Sequence, residues 1–93
     1  MKGSENMTQN DFYRETVTIL AMRAHNSDPE VLASALYFHM KQHPENVKLD
    51  KAWTVMMKNI KNLLSEHFMW DMKDIHRLFI ELYNLTKYME KSA

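Results

Sequence analysis

Apolar residues in this chain recur at steps of three and four, the spacing that gathers them on one side of a helix. The first such stretch predicts a helix over 8–26. Thr8 opens it because its hydroxyl can accept from a first-turn amide, and Asp11 suits the positive end of the helix dipole. Met7 and Phe12 hold the two positions of a hydrophobic staple. Phe12, Tyr13, Val17, Ile19, Leu20, Ala21 and Ala24 form two adjacent apolar stripes and leave Arg14, Thr18 and Arg23 outward. His25, Asn26 and Ser27 end the helix.

Asp28-Pro29-Glu30 is a second start signal: Asp28 can cap, Pro29 needs no amide partner in the first turn, and Glu30 complements the dipole. The second helix is expected over 28–43, burying Val31, Leu32, Ala35, Leu36, His39 and Met40, with Phe38 on another surface and Pro44 as its stop. A loop from Pro44 to Leu49 leads to Asp50, the cap of a third helix over 50–66. There Trp53, Met56, Met57, Ile60, Leu63 and Leu64 make the cleanest stripe, opposite Lys51, Lys58, Asn59, Lys61, Asn62 and Glu66.

Nothing forbids one helix from Asp50 to Glu90, yet local signals favour a break over Ser65 to Trp70. Asp71 can cap, Asp74 follows three residues on, and Trp70 with Ile75 has staple spacing. The fourth helix, over 71–90, carries Met72, Ile75, Leu78, Phe79, Leu82, Leu85 and Met89. Ile80 and Tyr83 widen that face, so it either contacts two layers or serves another chain. The single glycine and two prolines supply few turns for a sheet, so the expected fold is all-α, a compact bundle of four helices with the third and fourth at its centre.

Composition limits the functions available. Ninety-three residues, 45% hydrophobic and 26% charged, suit one globular domain over 8–93, with the polar start through Met7 a frayed leader and Met7 a possible natural start. Absence of cysteine excludes disulfides, thiolate metal sites and cysteine nucleophiles. No signal-peptide core and no long apolar run are present, so the expected location is cytoplasmic and no membrane is involved. Twelve basic residues balance twelve acidic ones, which removes the cationic excess that drives nonspecific nucleic-acid binding and weakens self-repulsion, favouring self-association or a protein partner.

Candidate chemistry is sparse. His39 and His43 stand four apart, close enough on a helix for both rings to approach a metal ion, but the further donors His25, His67, His76, Glu45 and Glu66 have no defined geometry around them. The plainer reading packs His39 at the core edge and sets His43 against the negative end of its helix. Serine-nucleophile motifs, phosphate loops and the His-Glu-x-x-His pattern are missing, so no catalytic residue, no cofactor and no enzymatic activity are expected.

Lys48, Lys51, Lys58 and Lys61, with Asn59 and Asn62 nearby, are the best nucleic-acid signal, although a solvated helix face looks the same. Among nine methionines, Met22, Met56 and Met57 read as core or core edge, whereas Phe68, Met69, Trp70 and Met72 crowd the corner before the fourth helix. That corner is either exposed for a partner or packed by its own large residues. With Ile80 and Tyr83 it forms the candidate protein-binding set. The expected function is a noncatalytic interaction module, an adaptor, inhibitor or regulatory subunit. The alternatives are a nucleic-acid-binding regulator using the lysines and a metal-responsive protein using His39 and His43.

Overall fold

The computed structural model describes residues 7–26, 28–48 and 50–92, the last five as backbone only. The leader 1–6, the Ser27 and Leu49 loop positions and the Met89 core assignment lie outside the described side chains. Four helices follow in order: α1 (Gln9–Arg23), α2 (Pro29–Gln42), α3 (Lys51–Glu66) and α4 (Met72–Ser92), with a 3₁₀ turn at Pro44–Asn46. No strand occurs among the described residues, and the protein is an all-α bundle.

Three of the four expected caps form. Thr8 Oγ1 accepts from the Asp11 amide at 3.1 Å, Asp50 Oδ1 from Trp53 at 3.0 Å, and Asp71 Oδ1 from Asp74 at 3.0 Å. Asp28 makes no side-chain cap; α2 starts on buried Pro29, which brings no amide to satisfy.

The buried line of α1 is Phe12, Thr16, Leu20 and Ala24, one stripe at four-residue steps. Ala21 is exposed, Tyr13, Val17 and Ile19 are half-buried, and Thr16 replaces them because its hydroxyl donates to the Phe12 carbonyl at 2.8 Å and so enters the core satisfied. On α2, Leu32, Leu36, His39 and Met40 are buried as expected, but Val31 is exposed and the small Ala33 is fully covered. α2 packs most extensively against α4, and that pair, not α3 with α4, is the centre of the bundle. Its core joins Leu32, Leu36 and Met40 to Ile75, Leu78 and Leu82.

Helices α3 and α4 are separate. The end of α3 unwinds through wide turns, Phe68 N–H reaching the Leu63 carbonyl at 3.0 Å and Trp70 N–H the Leu64 carbonyl at 2.8 Å. Met69 reverses the chain in the left-handed region at φ 61°, a conformation that costs a non-glycine residue about 1–2 kcal/mol. Met7, grouped with the leader from sequence, instead packs half-buried against the core, and its carbonyl accepts from Asn46 Nδ2 at 2.9 Å. No helix among the described residues is long and apolar enough to cross a membrane.

Candidate functional site

Helices α3 and α4 diverge enough to leave a groove of about 300 Å³, lined by Trp53 and Met57 from α3 and by Phe79, Leu82, Tyr83 and Thr86 from α4. The sequence places these residues there by period: Trp53 and Met57 are one turn apart on the edge of the α3 stripe, and Phe79, Leu82, Tyr83 and Thr86 advance by steps of three, one and three along α4. Trp53, Met57, Phe79 and Leu82 also wall a small void of about 10 Å³ inside the core, beside Met40 and Met56. The groove wall thus shares residues with a core region that holds Met40 and Met56, and unbranched methionine side chains adjust more readily than branched ones.

Lysines stand at the groove border. Lys87 Nζ lies 4.7 Å from the ring centre of Tyr83, and His76, Ile80, Tyr83 and Lys87 share one exposed stripe of α4. On α3, exposed Lys61 follows Met57 by one turn, and exposed Lys58 lies on the adjoining solvent face. Of the described carboxylates, Asp50 stands beside a groove residue, its Oδ1 accepting from the Trp53 amide, and the others lie farther round the helices. Asp74, Arg77 and Glu81 form another α4 stripe, which Arg77 ties to Glu30 of α2, and Glu66 belongs to a separate depression with Tyr13, Asn59, Asn62, Leu63 and His67.

Of the residues singled out from sequence, Tyr83 lines the groove and Ile80 and Met72 are exposed on the same helix. The corner is not a continuous exposed cluster. Phe68 is half-buried with its ring edge-on to His25 at 5.4 Å, and half-buried Trp70 donates from Nε1 to the Ala24 carbonyl at 3.0 Å, so both anchor the corner to the end of α1. Only Met69 of the three points outward, at 79% exposure. Met22, assigned to the core, is exposed, because α1 buries the stripe through Leu20 and Ala24 instead. Lys48, Lys51, Lys58 and Lys61 are all exposed, while Asn59 and Asn62 line the depression that holds Glu66 and not the lysine-bordered groove.

The sequence pattern places Trp53, Phe79 and Leu82 on core stripes and Met57 at the core or its edge. The signal that they also form an open wall was the excess width of the α4 face, which one neighbouring layer does not use up.

The imidazole pair lies at the other side of the core void. His39, 5% exposed, stacks on Phe12 with ring centres 4.5 Å apart, and half-buried His43 meets His39 edge-on at 5.4 Å. Burial pushes the His39 pKa below its ordinary 6.5 and outweighs the opposing Phe12 carbonyl; His43 lowers it further and Glu15 raises it. Glu15 of α1 joins the two rings, its Oε1 lying 3.9 Å from His39 Nδ1 and 4.0 Å from His43 Nε2. Sequence spacing could not supply Glu15, because its approach depends on how α1 crosses α2.

Comparison of the chain with protein-family models, curated proteins and solved structures gives no match. The functional reading rests on the geometry.

Proposed function

We propose that the protein is a noncatalytic helical interaction module whose α3–α4 groove receives an amphipathic helix of a partner protein. The observation that carries this reading is an open apolar groove with exposed Lys61 one turn beyond Met57 and Lys87 against the Tyr83 ring. A partner helix placing Leu or Phe side chains at three- and four-residue steps into the groove would remove apolar surface from water on both sides. Glu or Asp on its flanks would meet the lysines, which speeds encounter and fixes orientation more than it adds affinity. Trp53 and Tyr83 supply rigid aromatic contacts, and Met57 adapts to the anchor.

The lysines alone suit phosphate, but an apolar channel running between them adds nothing to phosphate binding and much to helix binding. The test is nuclear magnetic resonance titration of isotope-labelled protein with a synthetic amphipathic helix bearing Leu anchors and Glu flanks. Expected shifts concentrate at the Trp53 indole, the Met57 methyl and Tyr83. Tyr83→Glu should abolish them, and a Lys-flanked peptide should bind at least about tenfold more weakly. Shifts elsewhere would overturn the reading. So would a DNA or RNA duplex that binds with steep salt dependence and is lost in the Lys58→Glu, Lys61→Glu double variant, or light scattering that shows a second copy already covering the groove.

A further inference from the structure

We propose that Glu15, His39 and His43 form a binding site for a divalent transition-metal ion of the zinc class, with the remaining coordination position left to water or an external donor. One donor atom from each residue lies within 4.8 Å of the other two, and they come from two helices, so the site would tie α1 to the carboxyl end of α2.

The hydrogen-bond pattern suits one ring tautomer. With the Thr16 hydroxyl donating to the Phe12 carbonyl at 2.8 Å, its oxygen accepts from His39 Nε2, 3.1 Å away. In that tautomer Nε2 carries the ring proton and Nδ1 of the neutral ring presents a lone pair. That lone pair faces Glu15 Oε1 at 3.9 Å, an acceptor opposite an acceptor. A cation between them turns this unfavourable pairing into two coordinate bonds.

The surrounding groups resemble an outer shell. Metal-bound histidines usually have their second nitrogen engaged by a carboxylate, carbonyl or similar group that orients the ring. Here Thr16 holds His39, and Glu45 Oε2 stands 3.9 Å from His43 Nδ1. Phe12 further fixes His39 by stacking and contacts His43 edge-on at 6.2 Å. Zinc bonds of 2.0–2.1 Å in a tetrahedron set donors about 3.3–3.4 Å apart, so Glu15 Oε1, at 3.9 and 4.0 Å from the two ring nitrogens and more than half exposed, moves in by about 0.5–0.7 Å, and the partly exposed His43 ring swings toward His39 to close donors that span up to 4.8 Å. Two imidazoles and one carboxylate are a donor set suited to zinc and its first-row neighbours rather than to calcium or magnesium.

The experiment titrates zinc chloride into the metal-free protein by calorimetry, with cobalt(II) absorption as the reporter of geometry. Expected results are one bound equivalent, a melting temperature that rises with zinc concentration, and a cobalt spectrum of tetrahedral intensity. Glu15→Gln and His43→Gln, both at sites with solvent access, should fold and lose at least about tenfold in affinity, the scale on which even outer-shell partners act. His67→Gln and His76→Gln should bind like the parent. Coordination through His39 Nδ1 rather than Nε2 should appear in the ring carbon shifts. Equal zinc affinity in the parent and in the Glu15 and His43 variants, or no binding by the parent, would overturn the site. Peptide binding at the groove does not depend on Glu15, so failure here leaves that reading separately testable.

Discussion

The junction of α1, α2 and the 3₁₀ turn differs from the α3–α4 groove in the kind of contact that holds it. At the junction, buried side-chain donors have named partners, Thr16 with His39 and Asn46 Nδ2 with the Met7 carbonyl and Gln9 Oε1 at 2.9 Å each, while Asn46 Oδ1 is buried without a partner. Gln9 Nε2 returns a bond to the Asn46 carbonyl at 2.9 Å. The groove has almost none of this; its walls are mostly apolar, with Met57 among aromatic and aliphatic side chains. Directional contacts make one arrangement far better than its neighbours, whereas apolar contacts tolerate repacking. The two regions thus differ in how narrowly their contacts fix the packing.

The largest expected effect tests that difference directly. Phe12, 1% exposed, touches His39, His43 and Trp53, so Phe12→Ala should destabilise by about 3–5 kcal/mol in urea unfolding. Tyr83→Ala in the groove, 64% exposed, should change stability by no more than about 0.5 kcal/mol while weakening peptide binding. Similar losses from both would erase the distinction.

A smaller effect separates directional from apolar contributions at the junction. Asn46 is 3% exposed, and Asn46→Ala strands the Met7 and Gln9 groups it served, at a cost of about 1–3 kcal/mol. Faster amide exchange at the start of α1 would locate the loss there. An unchanged exchange pattern would show that the turn does not hold the helix.

The junction should also respond to acid before the groove does. The His39 pKa is held below 6.5 in the folded chain, so the unfolded chain takes the proton first as pH falls. The linked stability is complete above pH 6.5 and declines as pH drops from there toward the folded value, with a slope of at most about 1.4 kcal/mol per pH unit. Glu15 and His43 face the same ring, so the measurement is denaturant unfolding with chelator present, in the parent and in His39→Gln. The variant should lack this slope.

How far each region could be read from sequence follows the same physics. Three caps and the α3 stripe were legible because capping and helical period are local properties. The break before α4 was legible from Asp71 for that reason too. Thr16 and Glu15 were not, since a threonine inside a helix looks polar until its back-bond to Phe12 is seen, and Glu15 gains its role only through the α1–α2 crossing. The sequence pattern puts the centre on α3 and α4 because the α3 stripe is the cleanest, whereas α2 packs most extensively on α4, a pairing that stripe quality does not reveal. Phe68 and Trp70 were ambiguous because the direction in which a corner turns its aromatics is set by a partner such as the Ala24 carbonyl, 46 residues away from Trp70 in the chain.

The smallest predicted effect has the opposite sign. Met69 holds φ 61° at the corner that ends α3, and its side chain is 79% exposed, so little burial offsets the backbone cost. Glycine takes this conformation without a clash but adds freedom to the unfolded chain, so Met69→Gly should stabilise by about 0.5–1 kcal/mol net. In a domain of this size that raises the melting temperature by about 2–8 °C. Met69→Ala keeps the Cβ clash and serves as the control, with no comparable gain. The comparison sharpens if Met69→Gly leaves peptide binding at the groove unchanged, for the corner then acts as a hinge point of the fold and not as part of the docking face. Weaker peptide binding in Met69→Gly and Met69→Ala alike would instead assign the exposed methionine to the docking surface, extending the adaptable region around the end of α3.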